Sequence, residues 1–330
     1  MNRFAIVTPS DLPHASKLLA QRGNLALAGG IDTIDLLKQD ILEPRTLVNL
    51  KGLNGNDAIE SDGAGGLRIG TMVKLHEIAN HPELGRAYPA VAEAAANAAT
   101  PQIRNLATAG GNLLQRPRCW YFRNPDVDCL KKGGLKCYAE NGLNRYHAIF
   151  GGGPSYIVHP SNLAPALIAY GASVRIFNSS GYRIVELEKF FILPKVDPLR
   201  ENVLQPGDII TDIILPAPAT GAGGAYLEAR EKQSFDWPLV SVAAVLATSN
   251  SRRVNQARIV MGAVAPIPWR VPEAEKAITG VTLDSASAAR AGEIAVAGAT
   301  ALADNRYKIP IARALVRRAL LKAGGVEEGI

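Results

Sequence analysis

The sequence predicts an α+β fold in more than one unit, and three observations point there. A strand, a glycine turn, a helix and a second strand follow one another near the N-terminus. Long apolar strands suited to an antiparallel sheet come after a Pro/Gly/Ala-rich stretch, Pro216–Ala225, the best linker candidate. The last ~50 residues are alanine-rich and helical by pattern. With 330 residues the chain is long enough for two domains and a sizeable core.

In chain order, "SDLPHASKLLAQRG" predicts a short helix with Ser10 or Asp11 as cap, Leu18 and Leu19 on the buried face, and Gly23 as the stop. "LALAGG" reads as a buried strand running into a glycine turn, "IDTIDLLKQD" as a helix start and "RTLVNLKGL" as the next strand. "GLRIGTMVKLHEIA" has strand character to Thr71 and then turns helical. "YPAVAEAAANAATPQIRN" reads as one helix ending near Pro101. "LATAGGNLLQ" is a second glycine turn, with strand character before the glycines. The segment 116–150 is rich in Gly, Pro, Asn and Lys without sustained periodicity, which makes it a long loop of the functional or disordered kind. "YIVHPSNLAPALIAYGASVRIFN" gives a strand, a turn with a short helix, and a strand; "GYRIVELEKFF" and "DIITDIILPAP" add strands. Beyond the linker, "GAYLEAREKQSFDWPLVSVAAVLAT" and "QARIVMGAVAPIPWRV" read as long antiparallel strands. There is no internal repeat.

The formal net charge is +6, but the basic residues are dispersed. The densest run, Arg313 to Lys322, reads as one face of a terminal helix. Only 6% of residues are aromatic, so no basic patch with stacking rings marks a nucleic-acid site. Thr8, Pro9, Ser10 and Asp11 break the N-terminal apolar run before a signal peptide could form. No stretch reaches the ~18 apolar residues of a membrane span. The expectation is a cytoplasmic protein, periplasmic only if exported folded with a partner.

Gly29-Gly30 sits between an apolar strand and a helix start. Glycine permits positive φ and close approach of an anion, and consecutive N–H groups can then form a nest for phosphate oxygens. The pattern is neither G-x-G-x-x-G nor a Walker loop, which argues against Rossmann and P-loop folds. Taken alone it is also an ordinary helix start. Thr108–Gln115 repeats the device, with Asn112 placed to donate to a phosphate and Thr108 equally readable as a plain turn residue. In "HPSN", Ser161 and Asn162 reach a sugar hydroxyl or adenine edge if the turn faces a ligand; otherwise Ser161 is a helix N-cap.

Together, "LAGGIDTIDLLK", "RIGTMVKLHEIA", "QIRNLATAGGNLLQRPRC", "HPSNLAPAL" and "LVSVAAVLA" resemble the FAD-binding medium subunit of the molybdenum hydroxylases, the family of xanthine dehydrogenase, aldehyde oxidoreductase and carbon monoxide dehydrogenase. The resemblance is closest to the bacterial aldehyde oxidoreductase branch, whose subunit carries an extra 4Fe–4S cluster after the second glycine turn. It implies an α+β chain with a two-part FAD-binding domain of the vanillyl-alcohol-oxidase (PCMH) type and a small C-terminal α+β domain. The implied units are residues 1–55, residues 56–220 with an iron–sulfur loop at 116–150, and residues 224–330.

The resemblance also implies a FAD site. Leu27, Ala28, Gly29, Gly30, Ile31, Asp32, Thr33, Ile34 and Asp35 would wrap the diphosphate with backbone groups. Thr108, Gly111 and Asn112 would meet it from the other side, Thr71 would lie near the flavin, and Ser161 and Asn162 near the adenosine end. Leu193 and Lys232 would sit near the isoalloxazine. Relatives more often have Asp where Asn162 stands; Asn keeps the carbonyl acceptor but loses the charge.

All three cysteines fall in one stretch at C-x9-C-x7-C. With no secretory signal, that clustering favours metal or redox chemistry over disulfides. The spacing matches no common zinc-finger pattern, whereas iron–sulfur sites tolerate wider spacing. The resemblance makes Cys119, Cys129 and Cys137 cluster ligands and aligns Ser155 with the relatives' fourth cysteine. Three outcomes stay open. Ser155 ligates iron through an alkoxide; another group such as His147 or solvent fills the place; or the site holds 3Fe–4S or is vacant. Three free thiols in a relic loop are the plain alternative.

The implied function is electron transfer within a heterotrimer. A molybdopterin-binding large subunit oxidises the substrate. A small subunit with two 2Fe–2S clusters passes electrons to this chain's FAD, which hands them to an external acceptor. No catalytic acid, base or nucleophile is required of this chain. The rivals are a free-standing FAD-dependent oxidase of the vanillyl-alcohol-oxidase type, for which the last ~110 residues are short as a cap, and a scaffold that has lost flavin.

Overall fold

The computed structural model describes residues 1–53, 55–232 and 235–327; the end of the third expected unit, 328–330, lies outside them, as do Gln233 and Ser234 beside Lys232. Among the described residues the fold is α+β, as expected, with three sheets.

The first unit runs β1 (Ala5–Val7), α1 (Leu12–Leu19), β2 (Asn24–Leu27), α2 (Ile31–Lys38) and β3 (Thr46–Asn49), with the strands parallel in the order β1-β3-β2. Asp11 is the cap of α1, its carboxylate accepting from the His14 N–H at 2.8 Å. Ala15 and Ser16, rather than Leu18 and Leu19, are the buried residues of this helix. The reason is close approach: the Ser16 hydroxyl donates to the Gly207 carbonyl at 2.7 Å, which only a small side chain allows.

The second unit holds β4 (Ile59–Ser61), β5 (Leu67–Gly70), α3 (Leu75–Asn80), α4 (Pro82–Ala87), α5 (Pro89–Asn97), α6 (Pro101–Arg104), α7 (Ala109–Leu113) and α8 (Trp120–Arg123). It continues with α9 (Leu163–Ala169), β6 (Ser173–Asn178), β7 (Gly181–Glu186) and β8 (Ile209–Leu215). Its five strands are antiparallel in the order β4-β5-β8-β6-β7.

Three local expectations fail here, the first being the strand read at residues 156–158, which have no regular structure. The alanine-rich segment is two helices, because Ala99 takes φ of 45° and Pro101 opens α6 behind a Thr100 cap. The Arg104 guanidinium closes the break by donating to the Ala98 and Ala99 carbonyls at 2.9 and 2.8 Å. No strand precedes the second glycine pair either: Thr108 makes one isolated bridge to Lys74 and caps α7.

The C-terminal unit is an antiparallel sheet of β9 (Ala222–Ala229), β10 (Val240–Thr248), β11 (Val254–Gly262) and β12 (Trp269–Arg270), as its apolar runs predict. Covering it are α10 (Pro272–Ile278), α11 (Ser285–Val296) and α12 (Lys308–Ala323). Leu315, Val316, Ala319 and Leu320 recur at helical spacing and form the buried face of α12. The main core joins the units: Ile69, Val91 and Leu167 share it with Tyr226, Ala243 and Val260 of the C-terminal sheet. No helix among the described residues is long and apolar enough to cross a membrane.

Candidate functional site

The two glycine turns meet. Gly30 takes φ of 81° at the start of α2, and no side chain caps that helix. The first helical bond is Ile34 N–H to the Gly30 carbonyl at 2.9 Å, so the amides of Ile31, Asp32 and Thr33 have no helical acceptor. A Cβ on Gly29 would run into the carbonyl oxygen of Leu106, just ahead of the second turn. Gly110 lies equally close to Thr71, where an added Cβ would stand 2.9 Å from the threonine Cβ. These approaches enclose a cavity of about 570 Å³.

Ala28, Gly29, Gly30, Ile31 and Asp32 line this cavity, with Thr33 and Asp35. Thr71, Thr108, Gly111, Asn112 and Asn162 line it from the other elements. Leu27 and Ile34 belong to the same turn, where both side chains abut Gly30. An uncapped helix start facing a glycine-built cavity carries a positive dipole end and free N–H donors, which suits a diphosphate. The cradle fits the phosphate end of a FAD molecule.

Several side chains are already engaged within the protein. The Thr71 hydroxyl donates to the Ile210 carbonyl at 2.7 Å. Thr108 accepts from the Gly111 N–H at 3.1 Å. The Ser161 hydroxyl donates to the Asn112 side-chain carbonyl at 2.6 Å and accepts from the Ala164 N–H at 3.0 Å, so it binds the first turn of α9 from one residue ahead of the N-cap, Asn162. The Asn162 amide donates to the Tyr226 hydroxyl at 3.1 Å and to the Glu228 carboxylate at 3.2 Å. Glu228 is also paired with Arg230. An Asp at 162 would face that carboxylate instead of donating to it, which is a physical reason for Asn here.

Leu193 and Lys232 are elsewhere. Leu193 packs at Gly151, beside Trp269, and Lys232 is exposed after β9. Neither lines the cavity.

Sequence reading missed the arginines. Arg118 and Arg123 contact Asp32 at 2.9 and 2.7 Å, and Arg123 contacts Asp35 at 2.8 Å. The Arg116 N–H donates to Asp32 at 2.7 Å. The α2 carboxylates therefore tie the cradle to the cysteine loop, leaving the helix backbone to face the cavity. Arg118 also stacks on Trp237 at 4.5 Å, and both line the cavity. Burial pushes the Arg118 guanidinium down to about 10, opposed by Asp32. The available signal was three arginines within "RPRCWYFR", directly after the second glycine turn.

The cysteine loop folds over Leu36 of α2, where Cys129, Phe122 and Cys119 share a small core. The Cys129 and Lys136 backbones form a bridge, which brings Cys137 alongside. Burial pushes the Cys119 thiol up to about 12. Ser155 is buried, and its neighbour Tyr156 feels Cys137. His147 Nε2 lies 3.2 Å from Cys119 Sγ, and burial pushes its imidazole down to about 4. Among the described residues no three His, Cys, Asp or Glu side chains gather in a group that could hold a metal, so the expected metal site on Cys119, Cys129, Cys137 and Ser155 finds no support here. Of the three thiols only Cys129 is buried; Cys119 and Cys137 are half-buried.

The sequence model for the FAD binding domain in molybdopterin dehydrogenase matches residues 2–218, and that for the CO dehydrogenase flavoprotein C-terminal domain matches residues 224–323. The chain belongs to this flavoprotein family. It is 35% identical over 318 residues to the aldehyde oxidoreductase FAD-binding subunit PaoB of Escherichia coli, covering 95% of this chain and 96% of that one. It is 27% identical to the carbon monoxide dehydrogenase medium chain of Afipia carboxidovorans, covering 96% of this chain and 94% of the other. The crystal structure of the Cu,Mo-CO dehydrogenase shares the fold with a TM-score of 0.77 at 24% identity, over 98% of both chains. The glycine turns, the cavity and the arginine ties are thus features of a flavoprotein subunit.

Proposed function

We propose that this chain is the FAD-binding electron-transfer subunit of a heterotrimeric molybdenum-containing oxidoreductase resembling aldehyde oxidoreductase and xanthine dehydrogenase. The observation that carries this reading is the cradle, where the uncapped start of α2 and the Gly29–Leu106 approach open on the same cavity. Backbone groups of residues 27–35 and the Thr108–Asn112 turn hold the diphosphate, and Asn162 lies toward the adenosine end; Ser161, Leu193 and Lys232, which do not line the cavity, make no contact with the cofactor in this reading. FAD, when bound, takes up electrons and hands them to an external acceptor. The protein's residues bind it, orient it and shield it. None acts as acid or base on the organic substrate.

The partners in this reading are a molybdopterin-binding large subunit and a small subunit with two 2Fe–2S clusters, in the cytoplasm. The units are residues 1–55, 56–220 and 224–330. The cysteine loop holds a 4Fe–4S cluster on Cys119, Cys129 and Cys137, with Ser155 as the fourth ligand. The placing of all three cysteines in this loop, with Cys129 and Cys119 packed at Leu36 of the cradle helix, supports this.

The test is FAD, iron and acid-labile sulfide per chain in the co-expressed complex, with EPR of the reduced sample for wild type and Ser155→Cys. One FAD per chain, iron beyond the partners' clusters and an EPR change in Ser155→Cys support the reading. A colourless chain overturns it in favour of a scaffold. Aldehyde oxidation by the chain alone would make it a free-standing oxidase.

A further inference from the structure

We propose that Trp237 stacks on one flat ring of the bound cofactor, and that Arg118 is the positioning residue that clamps the indole for it. The inference rests on the FAD-binding function proposed above and supplies the ring contact that Leu193 and Lys232 do not make.

Phe235, Asp236, Trp237 and Pro238 lead toward β10, and all four line the cavity. The Phe235 and Trp237 side chains are 56% and 44% exposed. Large aromatic rings left in water at the wall of a cavity lose the benefit of burial, and a flat ligand ring laid against them restores it. Phe235 also takes φ of 58°. A bulky residue in the left-handed region is strained, and residues held that way cluster at ligand clamps.

The indole is held from one side. The Arg118 guanidinium stands 4.5 Å from its ring centroid, and Arg118 lines the cavity as well. Asp32 at 2.9 Å and Asp35 at 3.6 Å, both on α2, hold Arg118 in turn. A planar guanidinium over an indole favours one orientation of the ring, so the clamp ties Trp237 to the helix whose start faces the diphosphate. The chain leading to this turn is fastened too. Glu231 accepts from the Tyr146 hydroxyl at 3.0 Å and pairs with Arg145 at 2.6 Å. The Leu239 N–H donates to the Ala229 carbonyl at 2.8 Å, which closes the base of the turn. Arg230 donates to the carbonyl of Asn97, which lines the cavity together with Ala98, Ala99 and Thr100. The aromatic turn is therefore linked to a second wall of the same cavity. An indole fixed in orientation and open to the cavity suits stacking, which any flat heteroaromatic ring accepts, and FAD carries two such rings.

The test uses the co-expressed complex as wild type, Trp237→Ala, Trp237→Leu, Trp237→Phe, Arg118→Lys and the Trp237→Ala, Arg118→Lys double variant. It measures FAD per chain, the rate of FAD release on dilution by the rise of flavin fluorescence, and visible circular dichroism of the bound flavin. Trp237→Ala and Trp237→Leu are expected to release FAD about tenfold faster, and Trp237→Phe, which keeps a π face, at close to the wild-type rate. Arg118→Lys keeps the charge but loses the plane; it is expected to speed release when Trp237 is present and to add little in the double variant. An equal effect with and without Trp237 places Arg118 in the cradle alone and overturns its clamping role. A changed visible dichroism in the Trp237 variants assigns the stacked ring to the isoalloxazine, and faster release with unchanged dichroism assigns it to the adenine; both support stacking. Wild-type release rates in Trp237→Ala and Trp237→Leu overturn it. If Trp237→Ala does not assemble, Trp237→Leu decides. A wild-type complex without FAD in this chain overturns the proposed function, and this inference with it.

Discussion

The Ser161 hydroxyl and the Asn112 side-chain carbonyl are joined by a 2.6 Å hydrogen bond across 49 residues of sequence. Both residues are buried, and the bond pins the second glycine turn to the start of α9. Polar residues that the sequence offers to a ligand are here also the fastening of the site.

Ser161→Ala removes this bond together with the one its hydroxyl accepts from the Ala164 N–H in the first turn of α9. The expected loss is about 1–2 kcal/mol of stability. Urea denaturation at neutral pH measures it. FAD affinity should fall as well, because Asn112 lines the cavity and loses its anchor. Unchanged midpoint and affinity would show the bond to be idle.

Gly29→Ala places a methyl group against the Leu106 carbonyl, and the cradle must open. The expected outcome is a chain purified with little or no FAD. Gly85→Ala is the control: nothing lies within 4 Å of the added carbon, and Ala in the middle of α4 should gain roughly 0.5–1 kcal/mol. The ratio of flavin absorbance to protein absorbance separates the two variants.

Asn162→Asp sets two carboxylates face to face, since the Asn162 amide donates to Glu228 at 3.2 Å. Destabilisation of about 1–3 kcal/mol at pH 7 is expected from the lost donor alone. The additional Glu228→Gln change should recover much of it. A double-mutant cycle on thermal midpoints reads the coupling.

His159 gives a pH dependence. Its ring is fully buried, edge-on to Phe191 at 4.5 Å, and burial pushes its pKa from 6.5 down to about 3. The unfolded chain therefore binds a proton that the folded chain refuses. This leaves stability untouched above pH 6.5 and lowers it progressively as pH falls toward 3. Between pH 6.5 and 5 the loss from this one group is about 2 kcal/mol. His159→Leu should flatten that part of the stability profile, and denaturant titrations at several pH values test it.

Much of the site was legible because its signals are local. A glycine pair between a strand and a helix announces a left-handed turn, and the structure has one at Gly30. The antiparallel C-terminal strands and the terminal helices were legible from apolar periodicity. The split of the alanine-rich segment was harder, because Ala99 adopts a positive φ that its residue type disfavours and only the Arg104 contacts explain.

What the sequence by itself determined is the α+β order of elements, the two glycine turns and the clustering of three thiols in one loop. Each depends on a few neighbouring residues, whose backbone preferences and spacing can be read directly. What only the tertiary structure decided is who meets whom. Gly29 faces Leu106, Arg123 reaches Asp32 across 91 positions, and Lys308 reaches His147 across 161. Pairings at such separations leave no periodic trace in the chain. They exist because folding brings distant backbones into contact, and buried charges and polar groups must then find partners wherever packing puts them.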